Sequence, residues 1–310
     1  SKNQLQFPVC RQAGKNQQQR TKDYSLSTNH LHMKRLLEIE LQKIWKNKAS
    51  RVLTLTYFIL LTFIALIASV KIDLGPFKFH LAEMGIFNFP YIWHFNTYVA
   101  ALLKFFLAIV IVSMVANEYS YGTLKQNLID GMSKKEFVLS KFLTVVVFAT
   151  ISTVFVFIMT LILGYCFSSY TEFSIVFSEL EYLIAYFVKL VGFFSFCLFL
   201  GILVKRSAFA IGFLFVWYII ESIAKGILAF AIFPGSDTYK NISQFFPLEA
   251  MSNLIIEPIT RTAMVKNIGT QMGVENTTDY SVHFSGILIV LVWVVIFMLM
   301  SYKILKKRDL

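Results

Sequence analysis

Residues 182–204, YLIAYFVKLVGFFSFCLFLGILV, and residues 208–233, AFAIGFLFVWYIIESIAKGILAFAIF, are separated only by Lys205, Arg206 and Ser207. Each run exceeds the ~20 apolar residues that an α-helix needs to cross a bilayer. The pair predicts a tight helical hairpin in lipid. Four similar runs lie at about 52–70, 97–115, 142–167 and 284–302. The runs 142–167 and 208–233 are long enough to tilt or to extend past the lipid. Composition agrees, with 56% hydrophobic residues, 15% charged residues and 32 Phe in 310 residues. The mean hydropathy is +0.63. So much apolar surface does not fit inside one water-soluble core. The expected fold class is therefore all-α: a polytopic membrane protein with six transmembrane helices plus an amino-terminal amphipathic interfacial helix.

The net charge of +11 would suggest nucleic acid in a soluble protein. Here the basic residues cluster between apolar runs, which signals membrane orientation and no nucleic-acid partner. With the amino end inside, segments 33–51, 116–141, 205–207 and 303–310 carry 16 Lys or Arg, and the outer segments 71–96, 168–181 and 234–283 carry 5. The positive-inside rule then places both termini in the cytoplasm. The expected location is a cell inner (plasma) membrane.

Residues 1–32 are polar and Gln-rich, without a continuous apolar stretch of the signal-peptide kind. The first Met is Met33, which points to a natural start there; the other reading is a disordered basic tail. Residues 33–50, MKRLLEIELQKIWKNKAS, place Leu36, Leu37, Ile39 or Glu40, Leu41, Ile44 and Trp45 at helical spacing. Lys34, Arg35, Lys43, Lys46 and Lys48 supply a basic side. That is the pattern of a helix lying on the cytoplasmic membrane surface. Residues 51–310 form the six-span domain. Its last outer loop, 234–283, is long enough to carry short helices that dip toward the membrane. The aromatic group Phe87–Phe95 reads as an interface belt or an amphipathic outer helix.

Nucleotide chemistry has no signature here. Gly14-Lys15 is followed by Asn16, so no P-loop occurs. Cys10, Cys166 and Cys197 lack CxxC spacing, and His30, His32, His80, His94 and His283 lack HExxH spacing. No catalytic residue and no metal site is proposed, and an intramembrane enzyme would need a paired constellation that is missing.

The inner segment 116–141, ANEYSYGTLKQNLIDGMSKKEFVLSK, is the most informative loop. Ser133 with Glu136 makes a capping box that opens the third span. Gly122 and Gly131 permit turns on either side of a short helix, 123–130. A short exposed helix between two turns suits docking into a partner's groove.

Glu118-x-x-x-Gly122-Thr123, then Ser133-Lys134 and Lys141 at the next span, resembles the permeases of the ABC type-2 transporter family. Span count, amphipathic amino-terminal helix and large last outer loop match that family over residues 33–310. A Pro common before the basic pair is replaced by Gly131-Met132, which alters the local turn. The resemblance implies a permease subunit of an ATP-driven exporter without its own ATPase. It implies a separate ATPase subunit, which would hold ATP and Mg, and a second permease copy or a related permease. The chain needs no cofactor of its own. The helix 123–130 would be the coupling helix, with Glu118, Tyr121, Gly122, Thr123, Leu124, Gln126 and Asn127 forming or shaping the ATPase contact.

Lys104, Lys189, Glu221 and Lys225 fall inside spans, where each charge costs at least ~2.5 kcal/mol at the helix centre. The three lysines lie about 10–12 Å below the outer face, and Glu221 lies deeper. One reading is a local Glu221–Lys225 ion pair with lysines snorkelling to headgroups. The other is a cationic outer vestibule on the translocation pathway. An ion-gradient-driven secondary transporter would show internal repeats and broken spans, and neither is legible. A sensory or structural membrane subunit is a further alternative, with the 234–283 loop as its binding element.

Overall fold

The computed structural model describes residues 33–69, 72–74, 77–79, 85–236, 238–261 and 279–308. The expectations for the tail 1–32 lie outside the described residues. The first helix, α1, covers 33–46. It stops at Asn47, whose Oδ1 accepts hydrogen bonds from the backbone N–H groups of Ala49 (3.0 Å) and Ser50 (3.3 Å). This cap starts α2 (Lys48–Ser69), so the amino-terminal helix is shorter than the expected 33–50. A short antiparallel hairpin follows, β1 (Ile72–Leu74) with β2 (Phe77–Phe79). It is the one departure from an all-helical chain among the described residues.

The second apolar run is a bent pair, α3 (Tyr91–Leu102) and α4 (Lys104–Ser120), with 44° between them. No Pro or Gly sits at the break. There the Leu103 N–H bonds to the Ala100 carbonyl at 3.2 Å, an i→i−3 bond in place of i→i−4. A bend that is not visible in the sequence therefore interrupts this apolar run. After α5 (Thr123–Ile129) comes α6 (Lys134–Phe167). Its 34 residues span about 51 Å, beyond the ~30 Å of hydrocarbon. The capping box forms as expected: Ser133 Oγ accepts from Glu136 N–H (3.1 Å), and Glu136 Oε2 from Ser133 N–H (2.8 Å).

The single turn α7 (Phe173–Val176) leads into α8 (Glu181–Val204), then α9 (Ser207–Ile227), which runs on through a π-helical stretch, Leu228–Ile232. The turn between α8 and α9 puts Lys205 at φ 65°, a left-handed position that reverses the chain in few residues. Short helices α10 (Thr238–Ser243) and α11 (Pro247–Asn253) and a 3-10 turn at Ile259–Arg261 occupy the last loop. The chain closes with α12 (Phe284–Lys307).

The centre of the bundle is α8, which packs against α3, α4, α6, α9 and α12. Its apolar span is 83% buried, against 11% for α9. In lipid, association depends on close packing and on polar ties between helices. Gly192 supplies the first: a Cβ there would meet Val290 Cγ1 at 2.7 Å and Met251 Cε at 3.2 Å. Three buried hydroxyls supply the second. Tyr57 of α2 lies 2.6 Å from both Ser152 of α6 and Tyr186 of α8, and those two are 2.8 Å apart. Each hydroxyl can donate once and accept once around this ring, so all are satisfied. Phe87, Phe89 and Trp93 do not form a lipid-facing belt. They are buried, and Trp93 Nε1 donates to the Val176 carbonyl at 2.8 Å. Their apolar area fills the seam against α6 and α7 in place of the lipid interface.

Candidate functional site

Glu118, near the end of α4, is 3% exposed. Its Oε1 accepts hydrogen bonds from Lys141 Nζ (2.7 Å) and Lys43 Nζ (2.9 Å), and its Oε2 accepts one from Thr123 Oγ1 (2.5 Å). Lys141 Nζ also reaches Glu40 Oε2 at 2.5 Å, and Lys43 stands 3.5 Å from Glu40 Oε1. Two carboxylates and two ammonium groups thus form a balanced cluster. It joins α1, α4, the start of α5 and α6. Burial disfavours the Lys43 ammonium, but the neighbouring Glu40 and Glu118 carboxylates outweigh it and hold its pKa above the usual lysine value.

On this support sits α5. Gly122 adopts φ +68° and Gly131 φ +99°, so both turns use the conformation that only glycine enters freely. Leu124 is buried and anchors the helix inward, with Leu128 packed against the core. Tyr121 (75% exposed) and Ile129 (72% exposed) flank exposed Lys125 and Gln126 on the outer side, and Asn127 is half-buried. The residues expected to shape a partner contact therefore divide. Tyr121, Gly122 and Gln126 face outward. Glu118, Thr123 and Leu124 turn inward and hold the helix in place. A cavity of about 330 Å³ opens beside this junction, lined in part by Lys43, Asn117, Glu118, Tyr121 and Thr123.

Sequence reasoning missed Glu40 and the inward role of Lys43. The signal was present, because Glu40 falls on the apolar stripe of α1. A carboxylate on a face that becomes buried calls for a cation from elsewhere in the fold.

The four ionisable residues within the apolar runs each have a separate set of neighbours. The expected Glu221–Lys225 pair does not form. Glu221 instead accepts hydrogen bonds from the backbone N–H groups of Leu248 (3.0 Å) and Glu249 (3.1 Å) and from Trp217 Nε1 (2.5 Å). Lys225 pairs with Glu249. The physical reason is α11, which folds back against α8, α9 and α12 and presents its N-terminal amides to Glu221. At the other end of α11, Lys189 Nζ donates to the carbonyls of Ser252 (3.3 Å) and Ile255 (3.4 Å). Glu221, accepting at the N-terminus, and Lys189, donating at the C-terminus, clamp this short helix through its free backbone groups. Lys104 lies at the break between α3 and α4, with Nζ 4.7 Å from the centre of the Phe193 ring, a cation–π contact.

Among the described residues, five helices are long and apolar enough to cross a membrane, or six if the bent pair is one span. This is a helical bundle compatible with a membrane protein, with a charged junction where α1, α4, α5 and α6 meet. The chain belongs to the DUF2705 family, described as a protein family of unknown function, whose sequence model matches residues 58–310. Comparison with curated proteins gave no match.

Proposed function

We propose that this chain is the permease subunit of an ATP-driven exporter of the ABC type-2 kind. It crosses the membrane six times, counting α3 with α4 as one span, and keeps both termini and α5 in the cytoplasm. The helix α1 lies on the inner membrane surface. Two permease copies, or this chain and a related one, form the pathway, and separate ATPase subunits hold ATP and Mg. The observation that carries the reading is α5 itself: a short helix with an outward Tyr121–Lys125–Ile129 face, set on a buried ionic support. A push on α5 moves Thr123, and the Thr123–Glu118–Lys141 chain passes that displacement to α4 and α6 together. Charged ties suit such a role because they are short, directional and costly to break when buried.

The test is purification of the carboxyl-tagged chain in mild detergent from its own cells. The expected result is a stoichiometric partner carrying a P-loop, lost when residues 123–129 are scrambled and the fold is retained. A chain that purifies alone and transports in liposomes under a pH gradient overturns the reading.

The break between α3 and α4 favours one second reading, a gradient-driven secondary transporter, since such proteins build sites on interrupted spans. Lys104 then becomes the residue to substitute. Gradient-driven uptake abolished by Lys104→Met would decide for it.

A further inference from the structure

We propose that the groove between α1, α2 and α6 binds one acyl chain of an anionic phospholipid, with Lys46 at its headgroup. The groove has a volume of about 470 Å³ and is walled by Leu41, Ile44, Trp45, Phe58, Phe148 and Ile151. That volume falls in the ~300–1,000 Å³ range of small-molecule sites. Its remaining lining is Gln42, Thr54 and Lys46. Thr54 offers no free donor, because its hydroxyl bonds to the Ser50 carbonyl at 2.8 Å. The wall can therefore recognise hydrocarbon and little else. Water gains nothing in such a space, which lacks the two to four polar partners a buried water needs.

Charge selects the headgroup. Lys46 is the one charged residue lining the groove, and it is exposed. Its neighbour Lys43 is committed to Glu40 and Glu118, whereas Lys46 has no carboxylate partner among the described residues. The nearby acids on α1 are Glu40, buried in the ionic cluster, and Glu38, two turns before Lys46. A phosphodiester with a net negative charge satisfies Lys46 while its tail fills the groove. Trp45, 55% exposed, places an amphipathic ring at the same level. A lipid held there would brace α1 against α2 and α6 from the side opposite the Glu40–Lys141 tie.

This inference rests on α1 lying at the membrane surface and is independent of any ATPase. Trp45 provides the probe. The full chain is placed in phosphatidylcholine nanodiscs doped with phosphatidylglycerol or phosphatidylcholine brominated on one acyl chain, and tryptophan quenching is read against Trp45→Phe. We expect the Trp45 component to be quenched at about fivefold lower mole fraction of the brominated anionic lipid, the effect of one basic residue near an anionic surface. Lys46→Glu should abolish the preference, and Ile151→Phe, which fills the groove, should weaken quenching by both lipids. Equal quenching by the two lipids, unchanged by either substitution, overturns the lipid site while leaving α1 on the membrane. No quenching of Trp45 by either lipid at any fraction overturns the surface placement of α1 and the site with it.

Discussion

Lys141 and Glu40 lie 101 positions apart in the chain and meet with 2.5 Å between Nζ and Oε2, with the Lys141 side chain wholly buried. The contact fastens α1 to α6. Because Lys141 also holds Glu118, and Glu118 holds Thr123, one ammonium group sets the relation of α1, α4, α5 and α6.

Lys141→Met leaves two buried carboxylates with only Lys43 between them. Breaking one partner of a buried pair costs about 3–5 kcal/mol, whereas removing both partners together is far milder. Lys141→Met should therefore lower thermal stability in detergent markedly. The combination Lys141→Met, Glu40→Gln should recover part of that loss. A double variant no more stable than the single one would show that the two side chains are not coupled.

The Lys43 tie carries a pH signature. Its pKa is raised in the folded chain by Glu40 and Glu118, against the desolvation of burial. A raised lysine pKa stabilises fully below the ordinary value of 10.5 and loses that contribution as pH rises through the folded value. The stability difference between the wild-type chain and Lys43→Met should be flat across neutral pH and shrink only above 10.5. Melting curves over a pH series measure it.

The outward face of α5 can be altered without touching its support. Tyr121→Ala and Ile129→Ser remove exposed side chains, and surface changes of this kind usually alter stability by ±0.5 kcal/mol or less. On the proposed function, both should reduce recovery of the ATPase subunit while the melting temperature stays put. Full recovery with both changes combined would argue against α5 as the docking element.

Glu221→Gln and Lys189→Met each remove one end of the clamp on α11. Loss of a helix cap costs about 0.5–2 kcal/mol. Each should loosen the 234–261 segment, read as faster protease cleavage and faster amide exchange at Leu248–Ile255. Impaired transport with unchanged protection of this segment would assign these residues to the translocation pathway and not to the clamp.

Gly192→Ala places a methyl group where Val290 and Met251 already stand. Overpacking of this kind costs about 1–3 kcal/mol. The variant should lose stability, and Val290→Ala in the same chain should restore part of it.

The spans, the capping box at Ser133 and the glycine turns around α5 were legible because each depends on neighbours within a few residues. The site was legible in part. Glu118, Thr123 and Lys141 stood out by their spacing, but the buried state of Glu118 did not. Glu40 stands in the apolar stripe of α1, and its partner Lys141 comes from α6, 101 positions away. Glu221 and Lys225 sit four apart and suggested each other, yet both found stronger partners in α11. A helix end with free amides outcompetes a flexible lysine one turn away, because its donors are already oriented.

The sequence by itself determined the class: apolar run lengths set the number of candidate spans, and the basic clusters set the expected orientation. These properties are sums over local composition, and lipid reads them segment by segment. Only the tertiary structure decided which charges neutralise one another, where the second apolar run bends, and that α11 returns to the bundle between Glu221 and Lys189. Buried charges must find partners wherever the fold brings them. Some of those partners are a turn away, but the ties Lys141–Glu40, Lys141–Glu118, Lys189–Ser252 and Glu221–Leu248 reach across more than twenty, and up to about a hundred, residues of the chain.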